Sequence, residues 1–176
     1  MPIVLAIDIG FKNTGLALFD YSPEELKLLD TAHITTDHIK KSSKKSVVLN
    51  DVEKTEFLAK ELQDYMLARG VHSIVVELPT GGARSSRAVR LMGIATTVIV
   101  TLAVTMKLDA KWTTPREGKL AATDKPDAEK DEMMEAMGKI YPRINNIPKC
   151  RREHIADACA AMHAQKIKDT AQAKPI

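Results

Sequence analysis

The sequence predicts an α/β domain whose mixed five-stranded sheet, in the order 3-2-1-4-5, is flanked by helices. Two near-continuous apolar runs, PIVLAIDIG at residues 2–10 and VHSIVVEL at 71–78, read as strands buried on both faces, each with a carboxylate at its end. Strand patterns at 14–19 and 26–35 follow the first run closely enough to pair with it as a meander. Beyond residue 50 helical and strand patterns alternate, and a right-handed crossover then brings the fourth strand beside the first.

The elements follow in order. Phe11, Lys12 and Asn13 supply the turn between the first two strands, and Ser22-Pro23 breaks the second from the third. Residues 36–49 are polar, carry Lys40, Lys41, Lys44 and Lys45, and read as a loop. Leu58, Leu62, Tyr65 and Met66 recur at helical spacing, with Asn50 as a cap and Gly70 as the stop. Pro79 ends the fourth strand, and a glycine-bearing loop at 80–83 leads into a long helix over 85–106. A fifth strand at 108–113 precedes a Pro-Arg-Glu-Gly turn. A helix after Pro126 turns Met133, Met137 and Ile140 to one face and closes at Pro142. The last helix begins near Arg151 and points Ile155, Cys159 and Met162 inward. The expected organisation is one domain over residues 1–168 and a flexible tail over 169–176.

Composition narrows the function. Three Phe, three Tyr and one Trp are only 4% of the chain, so a core of Ile, Val, Leu, Ala and Met is expected, and a reader of single strands by aromatic stacking is not. Cys150 and Cys159 are too few for a disulfide framework and lack the spacing of a zinc site. The start runs directly into an apolar strand containing Asp8, so no secretory signal is expected. The uncharged stretch 91–106 is short for a membrane span of about 20 residues and contains four threonines, so it reads as a buried helix. A cytoplasmic location, or the host cytoplasm for a phage-encoded protein, is the expectation.

Three acidic residues stand where buried structure meets the surface: Asp8, Glu77 and, in the first turns of the last helix, Asp157. With strands one and four as parallel neighbours, roughly 4.8 Å apart, the first two emerge at one sheet edge. Carboxylates crowded together repel unless a cation compensates, and hard oxygen ligands suit Mg²⁺, with Mn²⁺ able to substitute. Two ions per site, about 4 Å apart, would stabilise the attacking and leaving oxygens of an in-line phosphoryl displacement. His154 lies one helical turn before Asp157, on the same face, where it could ligate the second ion or handle a proton.

The strand order is the wiring of the RNase H-like fold. Within it, IDIGFKNTGLALFD near the start, VVELP in the middle and REHIADACAAMHA near the end resemble the three motifs of the RuvC family of Holliday-junction resolvases. The resemblance implies that Asp8, Glu77, His154 and Asp157 occupy the family's metal-binding catalytic positions. It also implies a homodimer that cuts two opposed strands of a four-way DNA junction with Mg²⁺, leaving ends a ligase can seal. Two departures stand out. The first motif has Asp8-Ile9-Gly10 where bacterial members have Asp-Pro-Gly, and the loop after Glu77 has no aromatic to open the junction. A divergent phage- or virus-type member fits this pattern, gripping branched DNA through charge and shape.

The net charge of +3 conceals strong local bias. Residues 38–54 carry five lysines against two acids, 79–119 seven bases against two acids, and 139–152 five bases with no acid. Basic segments around an acidic centre are the footprint of an enzyme that holds a phosphate backbone over metal ions. Arg84, Arg87 and Arg90, spaced by three, form a stripe on the long helix suited to phosphate contact. Lys12, Arg151 and Arg152 are further candidate DNA contacts, and one of Lys119, Lys125 and Lys130 is expected beside the scissile phosphate by family resemblance. The rest of the long helix is either core or a subunit interface.

Rival readings share the fold. An actin-like ATPase resembles Asp-Ile-Gly followed by Asn13-Thr14-Gly15, but needs two such domains around its nucleotide. A general branched-DNA nuclease, or an RNase H acting on RNA/DNA hybrids, would share the metal site and differ in substrate geometry. A non-catalytic DNA-binding module would have no need of all the acidic positions.

Overall fold

The structure, a computed structural model, describes residues 2–22, 25–40, 43–79 and 85–172. Its sheet runs β3-β2-β1-β4-β5, from β1 (Ile3–Asp8), β2 (Asn13–Tyr21), β3 (Leu26–Thr35), β4 (Ser73–Glu77) and β5 (Asp109–Thr113). The first three strands are antiparallel, and β4 and β5 continue the sheet parallel to β1.

The period-two pattern of β1 separates two cores. Leu5 and Ile7, with Leu16, Leu18, Ile74 and Val76, face α1 (Val47–Ala68) and α2 (Ser86–Met106). Val4 and Ala6, with Ala17, Phe19 and Val75, face α4 (Lys130–Ile140) and α5 (Lys149–Gln172). α5 carries a run of small residues, Ala156, Ala158, Ala160 and Ala161, all fully buried between the strands and the helices packed on it. Short side chains let this helix lie close against the strands.

Four elements differ from the sequence expectation. α1 begins at Ser46, whose hydroxyl accepts from the Leu49 amide, and Asn50 is buried inside the helix. The expected turn after β5 is a helix, α3 (Pro115–Thr123): Thr114 and Glu117 form a reciprocal capping box, and Pro115 sits at the first helical position, where no amide is needed. α2 is long and apolar enough to cross a membrane by length and composition, yet it buries Ala95, Val98, Ile99, Leu102 and Ala103 against the sheet and leaves Val89, Val100 and Val104 exposed. It is therefore half core rather than fully buried. α5 continues past the expected boundary at 168, because Asp169 is tied down by Tyr21, Lys111 and Gln165.

Candidate active site

The strand registers set His33, Gly15, Asp8, Glu77 and Thr113 in one row across the sheet, one residue from each strand. Residues paired in register leave the same face. That face is the α5 side, since Val4, Ala6, Ala17 and Val75, at even spacings along the same strands, belong to the α5 core. Asp8 and Glu77 are direct partners, so the two apolar strands deliver their carboxylates side by side.

Gly15 fixes where the helix crosses this row. A Cβ there would overlap the His154 main chain, so the absent side chain is the seat of α5. His154 thereby drops beside Asp8, its Nδ1 2.7 Å from Asp8 Oδ2 and its Nε2 3.5 Å from Glu153 Oε1. Asp157 follows one turn on. On the far side α3 closes in at Gly118, where a Cβ would stand 3.4 Å from Glu77 Oε2.

Burial pushes Glu77 up to about 9, helped by the negative charges of Asp8 and Asp157 and opposed by Lys119. Burial likewise raises Asp157 to about 7, with Asp8 and Glu153 adding to the shift and His154 and Lys130 opposing it. The hydrogen bond to Asp8 raises His154 against the opposite pull of burial. Three carboxylates crowded into partly dry surroundings are a set that a cation would relieve. At the two ends of the row His33 Nε2 and Thr113 Oγ1 are buried without a hydrogen-bond partner among the described residues. Hard carboxylate oxygens beside one imidazole, with unsatisfied polar atoms around them, fit a divalent ion. Among the described residues no three of these side chains are already drawn together into a ligand cage, and one oxygen of Asp8 is engaged by His154.

No protein-family model matches the chain, and no curated protein matches it by sequence. Solved structures do. Thermus thermophilus RuvC in complex with a Holliday junction substrate aligns over 100% of both chains at 18% identity, with a TM-score of 0.75. The yeast mitochondrial Holliday junction resolvase Ydc2 aligns over 96% of this chain and 80% of its own at 12% identity, TM-score 0.68. A fowlpox virus resolvase in complex with Holliday junction DNA aligns over 94% and 97% at 15% identity, TM-score 0.54. The chain has the RuvC resolvase fold.

On this RuvC-type frame the basic residues fall into distinct settings. Arg87 and Arg90 do not form a free stripe. Each donates from Nη2 at 2.7 Å to a different oxygen of Asp51, a carboxylate only 4% exposed near the start of α1. About half of each arginine side chain stays open. Arg84 lies outside the described residues, as does the loop 80–83. Lys12 reaches Asp37 at 3.0 Å.

The three lysines are separated by their surroundings. Lys119 acts on Glu77, Lys130 acts on Asp157 while bridging Glu153 at 3.3 Å, and Lys125 pairs with Glu132 at 2.7 Å. Arg151 is exposed, and its charge reaches His33. Arg152 is half-buried, and its Nε has no hydrogen-bond partner among the described residues. Gly15, Gly118, His33 and Thr113 are the site residues that sequence reasoning missed. Gly15 lies inside the first motif, so a strand glycine was the available signal.

Proposed function

We propose that this chain is a divalent-metal-dependent, structure-selective endonuclease that resolves four-way DNA junctions. The observation that carries this is the cross-sheet row: Asp8 and Glu77 are paired partners, with His154 and Asp157 brought over them by α5, on a fold shared with proteins solved on Holliday junction DNA.

Asp8, Glu77 and Asp157 would hold the metal, with His154 assisting at a second ion, and the row's hard oxygens favour Mg²⁺ or Mn²⁺. Two such ions would supply the Lewis acidity for in-line attack of water on the scissile phosphorus with departure of the 3′ oxygen. His154, held at Nδ1 by Asp8, has only its second nitrogen left, which would either ligate that second ion or handle a proton. Among the described residues Lys119 is the cation whose charge acts on Glu77, and it would meet the phosphate on that side. Lys12, Arg87, Arg90, Arg151 and Arg152 supply charge for the arms of the junction, positioning the backbone without reading bases.

A paired cut needs two sites related by a two-fold axis. We place the second copy on α2, whose exposed Val100 and Val104 adjoin a groove of about 480 Å³ lined by Thr55, Ala59, Ile94, Thr97, Val98 and Leu102. A homodimer through this face would cover apolar surface that the single chain leaves open.

Cleavage of a labelled four-way junction, a Y-fork, plain duplex and an RNA/DNA hybrid tests the proposal. The expected result is metal-dependent cutting strongest on the four-way junction, abolished by Asp8→Asn with binding retained. Full cutting by Asp8→Asn, or preference for the hybrid, would overturn it.

A further inference from the structure

We propose that His33 is a positioning residue that fixes the plane of the His154 ring. The inference rests on the metal-nuclease reading of the site and adds a residue outside its three sequence motifs.

His33 and His154 stack with ring centroids 5.6 Å apart and planes 28° from parallel. The contact follows from the row. Gly15 sits between His33 and Asp8 in register and contributes no side chain, so the space above it is taken by His154. The imidazole is thus held in two ways: Asp8 engages its Nδ1 edge at 2.7 Å, and His33 lies against its face. One hydrogen bond does not settle an imidazole, because the torsion that turns the ring is broad. A flat partner on the face removes that freedom.

His33 is not recruited elsewhere by its outer nitrogen. Its Nε2 is buried and has no partner among the described residues. The charged groups that reach it are His154, Arg151 and Asp8. Hydrogen-bonded groups that orient a metal ligand typically contribute 10–100-fold in metal affinity; His33 orients His154 by stacking instead, which sets the expected effect at the low end of that range.

The test compares His33→Phe, which keeps a flat ring, with His33→Ala and His33→Leu, which remove it, the leucine preserving volume. Two readouts are taken on the full chain: the His154 Nδ1–H proton by NMR in metal-free buffer, and affinity for Mn²⁺ alone by calorimetry. The wild type and His33→Phe are expected to show one sharp downfield proton and equal Mn²⁺ affinity. In His33→Ala and His33→Leu the proton broadens, Mn²⁺ binds on the order of 10-fold more weakly, and kcat on a four-way junction falls with KM unchanged. Retention of the sharp proton and full affinity in the leucine variant would overturn the proposal, as would equal losses in His33→Phe. Failure of the wild type to bind Mn²⁺ at all would sink the metal reading, while the proton comparison would still decide the role of His33.

Discussion

The main chain of His154 fills the space that Gly15 leaves empty. A strand interior is a poor place for glycine, since it weakens the strand and packs nothing; here it lets α5 descend onto β2 and carries His154 to Asp8. Gly15→Ala is expected to push the helix away, at about 1–3 kcal/mol for overpacking, which lowers the melting temperature by about 2–4 °C per kcal/mol in a chain of this size. Cleavage should fall much further than stability, because the displaced element carries both His154 and Asp157. Melting curves and junction cleavage on the same preparation check this. A variant with wild-type cutting would show that α5 need not seat on Gly15.

The strand order was legible because each strand has its own punctuation: the turn at residues 11–13, the break at Ser22-Pro23, and the two apolar runs whose burial on both faces demands a central position. Asp8 and Glu77 could be read as neighbours for the same reason. Register was not legible, and so His33 and Thr113 could not be assigned to the row: one residue of slip would have sent both to the other face. Helix ends misled where two residues offered the same chemistry. Ser46 and Asn50 can both cap, and the chain uses Ser46. Pro115-Arg116-Glu117-Gly118 has turn-like composition, but Thr114 and Glu117 cap each other and open α3. The long-range partners of Asp51 and Asp169 leave no local trace.

Asp51 makes Arg87 and Arg90 interdependent. Either arginine alone still neutralises a carboxylate that is 4% exposed, so Arg87→Ala and Arg90→Ala should each fold well. The double replacement strands a buried charge, for which about 3–5 kcal/mol is typical. Adding Asp51→Asn to the double variant should recover much of that loss, a non-additivity that urea denaturation measures directly. Equal stability of the double and triple variants would mean that Asp51 does not rely on the pair. DNA affinity is best compared in the triple variant, where folding and phosphate contact are separated.

Asp169 links acid stability to the end of α5. Burial alone would raise its carboxyl, but hydrogen bonds from Lys111, Gln165 and Tyr21 outweigh it and hold it below its ordinary value of 3.8. A carboxyl whose folded value is depressed stabilises the fold above its unfolded value, and that contribution disappears as pH falls through the folded one. Asp169→Asn should therefore be less stable than the wild type at pH 7, with the gap closing below about pH 4. Denaturation followed from pH 7 downward measures the gap, and a difference that does not narrow with falling pH would assign the effect to packing.

The exposed side of α2 offers the last test, because a solvent-facing apolar stripe on a helix is stable only if something covers it or its exposure is tolerated. Val104 is 73% exposed and Val100 44%. Both face away from the buried row of Ala95, Ile99 and Ala103, so charged replacements there leave the sheet core intact. Val100→Glu combined with Val104→Glu should keep the fold yet place like charges opposite each other across a two-fold axis. The expected result is a sedimenting monomer, with the junction nicked on one strand instead of cut on two opposed strands. If the wild type also sediments as a monomer at micromolar concentration, both alone and on a junction, then the homodimer fails, and with it the pairing role of α2.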